Sequence, residues 1–362
     1  MAMDIAPFEL ERWFAEVEAD ADIMLAESGI RSLPADRFDL DVGPLDYVIP
    51  TNGDPALRRQ VGDHYDRPAD EVLLTCGTQE ANLLAFLATL DPTDHAVVIT
   101  PTYQSLVSLP ATLASVTTVS LSPPTWELSI DAVFDAMEPE TRLIVLANPN
   151  NPTGRCLDCN VIAALLDIAI DHDAHLLCDE VYRLLADDPL APVASLHDSA
   201  LSTAGLTKAY GLAGLRFGWL VGPEHIVERA WHWKDYTTIS PPRIAQHIAT
   251  QLFEDDLGET ILVENRDLAA RNRSIVAAFI DRYELGWSEP VGVNAFVQVP
   301  SHFDSGRAFC RQVVDEVSVV LAPGEAFGVS GYVRLGFGLE TNRLREGLNR
   351  VGQVIKATAP TP

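Results

Sequence analysis

From residue 71 onward, short apolar runs alternate with helix-like stretches. EVLLT (71–75), HAVVIT (95–100), SVTTVSL (115–121), RLIVLANP (142–149), HLLCDE (175–180), ALSTAG (200–205) and RFGWLVG (216–222) read as strands. Between them GTQEANLLAFLATL (77–90), CNVIAALLDIAIDHD (159–173) and the segment from Glu224 read as helical, and PTYQSLVSLPATLA (101–114) follows HAVVIT. Strands alternating with helices imply a mostly parallel sheet covered on both faces. In such sheets ligands bind beyond the carboxyl ends of the strands. Ahead of this block lie an amphipathic segment, Phe8 to Leu25, a proline-rich loop through DVGPLDYVIPTNGDP (41–55) and a helix over Leu57–Tyr65. After Pro241 and Pro242 the pattern turns to long helices through Asp281. It ends with strands NAFVQVP, VSVVLAP and YVRLGFG mixed with helices SGRAFCRQVVDE and ETNRLREGLNRVGQVI. The expectation is an α/β protein with a large domain over 42–245 and a smaller α/β domain over 246–362, to which residues 1–41 add an N-terminal segment.

A chain of 362 residues, 47% of them apolar, is long enough for two such cores. It has no apolar run of membrane-spanning length, and its N-terminus lacks a basic stretch followed by an apolar one, so we expect a cytoplasmic protein without a signal peptide or transmembrane helix. Acidic residues outnumber basic ones 52 to 25, a net charge of −27, which argues against nucleic acid and anionic membranes as partners. Dispersed acids with almost no lysine resemble proteins of salt-loving cytoplasms. The odd number of cysteines, five, points to reduced thiols. Cys156 and Cys159 have CxxC spacing but no second pair, and His172 and His175 fit no ligand pattern, so no metal site is expected.

The lysine scarcity draws attention to one of the three, Lys208, set among glycines and small residues in LSTAGLTKAYGLAGLRFGWLVG (201–222). Desolvation there suits an amine that must lose its proton. Other chemistry sits at the ends of the other strands. Gly77-Thr78-Gln79 opens a helix, where free amides bind phosphate. ANPNNPTGR (147–155) is a stiff turn presenting Asn148, Asn150 and Asn151. Asp179 lies just past a buried strand, three positions before Tyr182, and an isolated carboxylate there needs a partner. Arg216 offers a planar fork for phosphate. Together these residues suit one ligand. Gly77, Thr78, Gln79 and Arg216 take a phosphate, Asn151 and Tyr182 a ring hydroxyl, Asp179 a ring nitrogen and Lys208 an aldehyde. That ligand is pyridoxal 5′-phosphate. Tyr103, in PTYQSL, can stack on its ring. Glycines 211, 214, 218 and 222 do not fit the GxGxxG spacing of nicotinamide enzymes.

GTQEAN, PTYQSL, NPNNPTG, DEVYR, TKAYGLAGLRFGW and VRLGFG together resemble the class I/II aminotransferases, pyridoxal-phosphate enzymes of fold type I, from about residue 40 to the C-terminus. The resemblance implies a homodimer with active sites at the subunit interface. It implies transfer of an amino group between an L-amino acid and a 2-oxo acid through a Schiff base on Lys208. Arg334 then binds the substrate α-carboxylate, Asn151 and Gly43 contribute to substrate binding, and Tyr47 reaches the neighbouring subunit's phosphate. The family often has a hydroxyl residue three positions before the lysine. Here Gly205 stands there, and Thr207 is the candidate substitute. TKAYGLAGLRFGW also resembles capreomycidine-synthase-type members, so a lyase, decarboxylase or elimination/cyclisation reaction on an amino acid is the alternative. Regulators with an aminotransferase-like half carry a basic helix-turn-helix segment, which this acidic chain lacks.

Overall fold

The computed structural model describes residues 5–254 and 256–358. In chain order, α1 (Glu9–Val17), β1 (Ile23–Met24) and α2 (Pro55–Asp63) precede the alternating block. That block runs β2 (Val72–Thr75), α3 (Thr78–Thr89), β3 (His95–Thr100), α4 (Ser105–Leu113), β4 (Ser115–Ser120), α5 (Ile130–Asp135), β5 (Thr141–Ala147), α6 (Cys159–Asp171), β6 (His175–Asp179), β7 (Ala200–Gly205), β8 (Gly218–Val221) and α7 (Glu224–Lys234). Then come α8 (Arg243–Glu254), α9 (Leu257–Arg282), β9 (Asn294–Gln298), α10 (Gly306–Val317), β10 (Val319–Val320), β11 (Ala322–Pro323), β12 (Tyr332–Gly336) and α11 (Thr341–Thr358). No helix among the described residues is long and apolar enough to cross a membrane.

The central sheet has seven strands in the order β2-β8-β7-β6-β5-β3-β4. Only β8 runs against its neighbours. The reason is local: the chain from β7 to β8 carries no crossover helix, and a parallel return needs one. The antiparallel register, Gly205 opposite Gly218, leaves the whole 206–217 loop beyond one edge of the sheet, with Lys208 near its start and Arg216 near its end. Each strand feeds two cores. Val145, Leu177 and Leu201 pack with Leu84 and Val227, while Ile144, Leu146 and Leu176 pack into the opposite cluster. Burial on both faces explains the unbroken apolar runs.

VSVVLAP, expected as one strand, splits at Leu321. Val319–Val320 pairs in parallel with Ile23–Met24, and Ala322–Pro323 pairs with β12 in a three-stranded antiparallel sheet ordered β11-β12-β9. The first pairing ties the N-terminal segment to the C-terminal part of the chain. The six-residue helix α5, capped by the Ser129 hydroxyl on the Ala132 N–H, has too few residues to show a helical period in sequence.

Candidate active site

A cleft of about 760 Å³ opens where β5, β6 and β7 end. At its floor Asp179 terminates β6 and is buried. Its Oδ2 accepts from Asn82 Nδ2 at 2.8 Å and its Oδ1 from the Val181 N–H at 3.1 Å. The Thr203 hydroxyl donates to Asn82 Oδ1, which fixes which way the amide points. Burial pushes the Asp179 carboxyl up to about 6, against the pull of those donors and of Lys208.

Lys208 follows β7. Its Nζ donates to Ser28 Oγ at 2.9 Å and to Glu27 Oε1 at 3.2 Å. The Lys208 charge, outweighing burial, holds the Glu27 carboxyl below its usual range. Behind the lysine, a Cβ on Gly29 would lie 3.4 Å from Lys208 Cδ.

Gly77 caps α3 with φ of +90°, a conformation that favours glycine. A side chain there would collide with Arg216, whose Nη2 lies 2.5 Å from the Cβ position. The first-turn amides of Thr78 and Gln79 have no partner one turn back. The Thr78 hydroxyl is buried with no hydrogen-bond partner among the described residues. Gly205 and Gly218 press against this turn from below. A Cβ on Gly205 would fall 2.6 Å from the Phe217 carbonyl and 2.8 Å from Thr78 Oγ1, and one on Gly218 would fall 2.6 Å from the Thr78 nitrogen. The hydroxyl residue often found at the position of Gly205 is therefore sterically excluded here. Thr207 lines the cleft instead, 3.5 Å from Arg216 Nη1.

On the opposite side Arg334, on β12, is buried. Its Nη1 donates to Asn151 Oδ1 at 2.8 Å and its Nη2 to the Ala26 carbonyl at 2.7 Å, while Nε has no partner among the described residues. Phe327 lies under the guanidinium, 5.1 Å from its ring centre. Burial lowers the Arg334 pKa from the usual guanidinium range. The three asparagines of the turn divide the work. Asn148 bonds both backbone groups of Leu157, and Asn150 bonds Pro101 and Thr153, so those two hold the turn and Asn151 faces the arginine. Tyr182 lines the cleft. Tyr103 lines it too, its hydroxyl donating to Glu11 Oε1 at 2.7 Å and its ring centre 4.8 Å from that of Phe8. Burial and Glu11 together push its phenol up.

The structure thus brings Thr78, Gln79, Tyr103, Asn151, Asp179, Tyr182, Thr207, Lys208, Arg216 and Arg334 into one cleft, with Gly77 against Arg216. Gly43 stands outside the cleft lining of its own chain, and a Cβ there would meet nothing within 4 Å, whereas Gly29 packs on the lysine. Tyr47 projects from its loop, 66% exposed, and does not line the cleft of its own chain. Unread in the sequence were Asn82, Thr203, Glu27 and Ser28, and the residues of the N-terminal segment that close the cleft, among them Phe8, Glu11 and Phe14. Asn82 had a signal, one helical turn after Thr78 on α3. Residues 8–28 had none beyond amphipathicity.

The donor set fits pyridoxal 5′-phosphate. It offers a deep carboxylate for a cationic ring nitrogen and an amine beside it. An amide turn with an orphaned hydroxyl and an arginine make a cradle that a Cβ on Gly77 would fill. Among the described residues no cluster of histidine, cysteine or carboxylates is arranged to hold a metal, and Cys156 and Cys159 lie outside the cleft.

The sequence profile of the family "Aminotransferase class I and II" matches residues 33–351. Capreomycidine synthase of Streptomyces vinaceus is 31% identical over 97% of this chain and 94% of its own. Aromatic-amino-acid aminotransferase 2 of Thermococcus litoralis is 28% identical over 88% of this chain and 86% of its own. A crystal structure of a PLP-dependent aminotransferase from Streptococcus suis superposes with a TM-score of 0.94 at 28% identity, covering 99% of this chain and all of that one. The motifs at the strand ends, the fold and these relatives agree: the chain belongs to the class I and II aminotransferases, enzymes of fold type I that work with pyridoxal 5′-phosphate.

Proposed function

We propose that this aminotransferase moves the amino group of an L-amino acid to a 2-oxo acid using Lys208 as attachment point and proton carrier, Asp179 as partner of the cofactor ring and Arg334 as carboxylate clamp. The observation that carries the assignment is the convergence of a buried arginine, a lysine amine and a partnered buried carboxylate in one cleft. Bound pyridoxal 5′-phosphate supplies the electron sink for breaking the Cα–H bond.

The chain's own residues do the rest. Asn82 and the Val181 amide keep Asp179 in place, so that its carboxylate favours a proton on the ring nitrogen. Asn151 and Tyr182 would address the ring hydroxyl, and Tyr103 would pack beside the ring. The Thr78 and Gln79 amides, Thr207 and Arg216 hold the phosphate. Arg334 grips the α-carboxylate with a fork already ordered by Asn151 and Ala26, which fixes the orientation of the Cα–H bond. Lys208 Nζ carries the proton away from Cα, and Ser28 and Glu27 steer that amine. Gly29, pressed on the lysine, takes the backbone role first expected of Gly43.

The working unit in this reading is a homodimer. Leu45, Tyr47, Ile49, Tyr236 and Ile239 are exposed apolar side chains on two loops, the first tied to the helices that flank the second by Arg243 Nε to the Val42 carbonyl and Trp231 Nε1 to Thr51 Oγ1. Such a patch suits a second copy, whose Tyr47 would reach this chain's phosphate cup.

A second reading keeps the cofactor and replaces transamination by elimination or cyclisation. It is favoured by the similarity to capreomycidine synthase over nearly the whole chain. One experiment separates the two. When the loaded enzyme receives an amino acid without an oxo acid, transamination leaves stoichiometric pyridoxamine phosphate, and Lys208→Ala leaves none. Turnover of the amino acid with no pyridoxamine phosphate would select the second reading.

A further inference from the structure

Lys234 is wholly buried at the end of α7, unusual for a lysine and more so in a chain with three of them. Its Nζ donates to Thr238 Oγ1 at 2.5 Å and stands 3.5 Å from Glu80 Oε2. The Thr238 hydroxyl passes the chain on, donating to Glu80 Oε1 at 2.7 Å. Thr237 donates to the same oxygen at 2.7 Å. Glu80 Oε2 accepts from the Cys76 N–H at 2.6 Å. Burial pushes the Glu80 carboxyl up, but these donors and Lys234 together bring it below its usual range.

The geometry has a purpose that packing alone does not supply. Apolar side chains would hold α7 against α3 without the desolvation cost of two buried charges. Glu80, however, lies in the first turn of α3 and grips the backbone on the far side of Gly77. It therefore fixes the turn that Arg216 approaches at Gly77 and that Gly205 and Gly218 press at Thr78. A lone carboxylate in that turn would also repel a phosphate bound at the same helix end. Lys234 cancels that charge while Glu80 keeps its grip.

We propose that Glu80, Lys234, Thr237 and Thr238 form a positioning network for the phosphate cup, a charge-balanced clamp that holds the Cys76 amide and so sets the free amides of Thr78 and Gln79 for a phosphate dianion. The inference rests on the cofactor-site reading above. The clamp also links the cup to the 235–239 loop, where Tyr236 is 87% exposed on the apolar face assigned to the second copy. Cup geometry and the proposed subunit contact therefore meet on one loop.

The test is titration of the cofactor-free, full-length protein with pyridoxal 5′-phosphate and separately with pyridoxal, which has the aldehyde and ring but no phosphate. Lys234→Met, which strands the Glu80 charge, is expected to weaken pyridoxal 5′-phosphate binding about tenfold or more and pyridoxal binding by less than about threefold. Glu80→Gln combined with Lys234→Met removes both charges and is expected to recover part of the loss. Should Lys234→Met fail to fold, Thr237→Val with Thr238→Val keeps both charges and is expected to show the same selectivity for the phosphate at smaller amplitude. Equal weakening of both ligands, or unchanged phosphate-ester binding, overturns the clamp. Wild-type protein that binds neither ligand overturns the cofactor-site reading itself and the clamp with it.

Discussion

The floor and the roof of the cleft are built on opposite plans. On the floor Asp179 is buried at the end of a central strand, with Asn82 and a backbone amide on its two oxygens and Thr203 behind Asn82. The roof is the N-terminal segment, where Glu11 and Arg12 are exposed and Glu27 meets Lys208 through an ion pair open to solvent. On the floor the fold forces a costly group into place and holds it there. On the roof the side-chain contacts of Glu11 and Glu27 are open to solvent. On the proposed function, the cofactor chemistry falls to the sheet, while the N-terminal residues that line the cleft are left to face the substrate.

The sharpest way to break this contrast is Asp179→Asn. Turnover is expected to fall about 10²-fold or more, because the ring nitrogen loses its anionic partner. Stability should move the other way. The Asp179 pKa is raised, to about 6, so its contribution to folding is complete below the ordinary carboxylate pKa and is lost as pH rises through about 6. At pH 8 the cofactor-free wild type therefore carries a buried charge that the variant lacks. The variant should melt higher, by up to about 3 kcal/mol in stability, with the gap closing near pH 4. Thermal melts across pH decide this, and a variant less stable than wild type at pH 8 would mean that the floor is not strained.

Arg334→Lys tests the wall between floor and roof. A lysine cannot keep the fork to Asn151 and Ala26 while gripping a carboxylate, so KM for the amino acid should rise about 10- to 100-fold, more than kcat falls. Steady-state kinetics read the split. Smallest is Glu27→Gln on the roof. Its kcat should stay within about threefold and its stability within about 1 kcal/mol, as expected of an open ion pair. The Glu27 carboxyl is depressed, so any stability it gives is present above the ordinary carboxylate range and is lost as pH falls through its lowered pKa. The variant should therefore match wild type in acid and differ slightly at neutral pH. A loss as deep as that of Asp179→Asn would erase the distinction between the two regions.

The same contrast explains what could be read from the residues. Strand ends announce themselves, since an apolar run that stops at Asp179, Gly205 or Asn148 places chemistry at one edge of the sheet. Their local motifs pointed to Asp179 and to the Gly77-Thr78-Gln79 turn, which the structure brings to one cleft. Asn82 and Glu80 lay unread inside GTQEAN because their partners, Thr203 and Lys234, are distant in sequence and no local period connects them. The roof depends on parallel pairing of Ile23 with Val319, for which two-residue strands leave no pattern. Loop residues have no register of their own, so nothing in the sequence marked Gly29 as the glycine that packs on Lys208.

That terminal pairing also has a consequence for the order of assembly. The Ala26 carbonyl that orients Arg334 is 308 positions away from it, and β1 has no partner until β10 exists. On a ribosome the large sheet can collapse while the tail is still being made, but the cleft then lacks its roof and Arg334. If Arg334 is the carboxylate clamp proposed above, substrate recognition is the last property to form. An unfinished chain carries Lys208 and the Gly77–Gln79 turn before the arginine that completes the cleft.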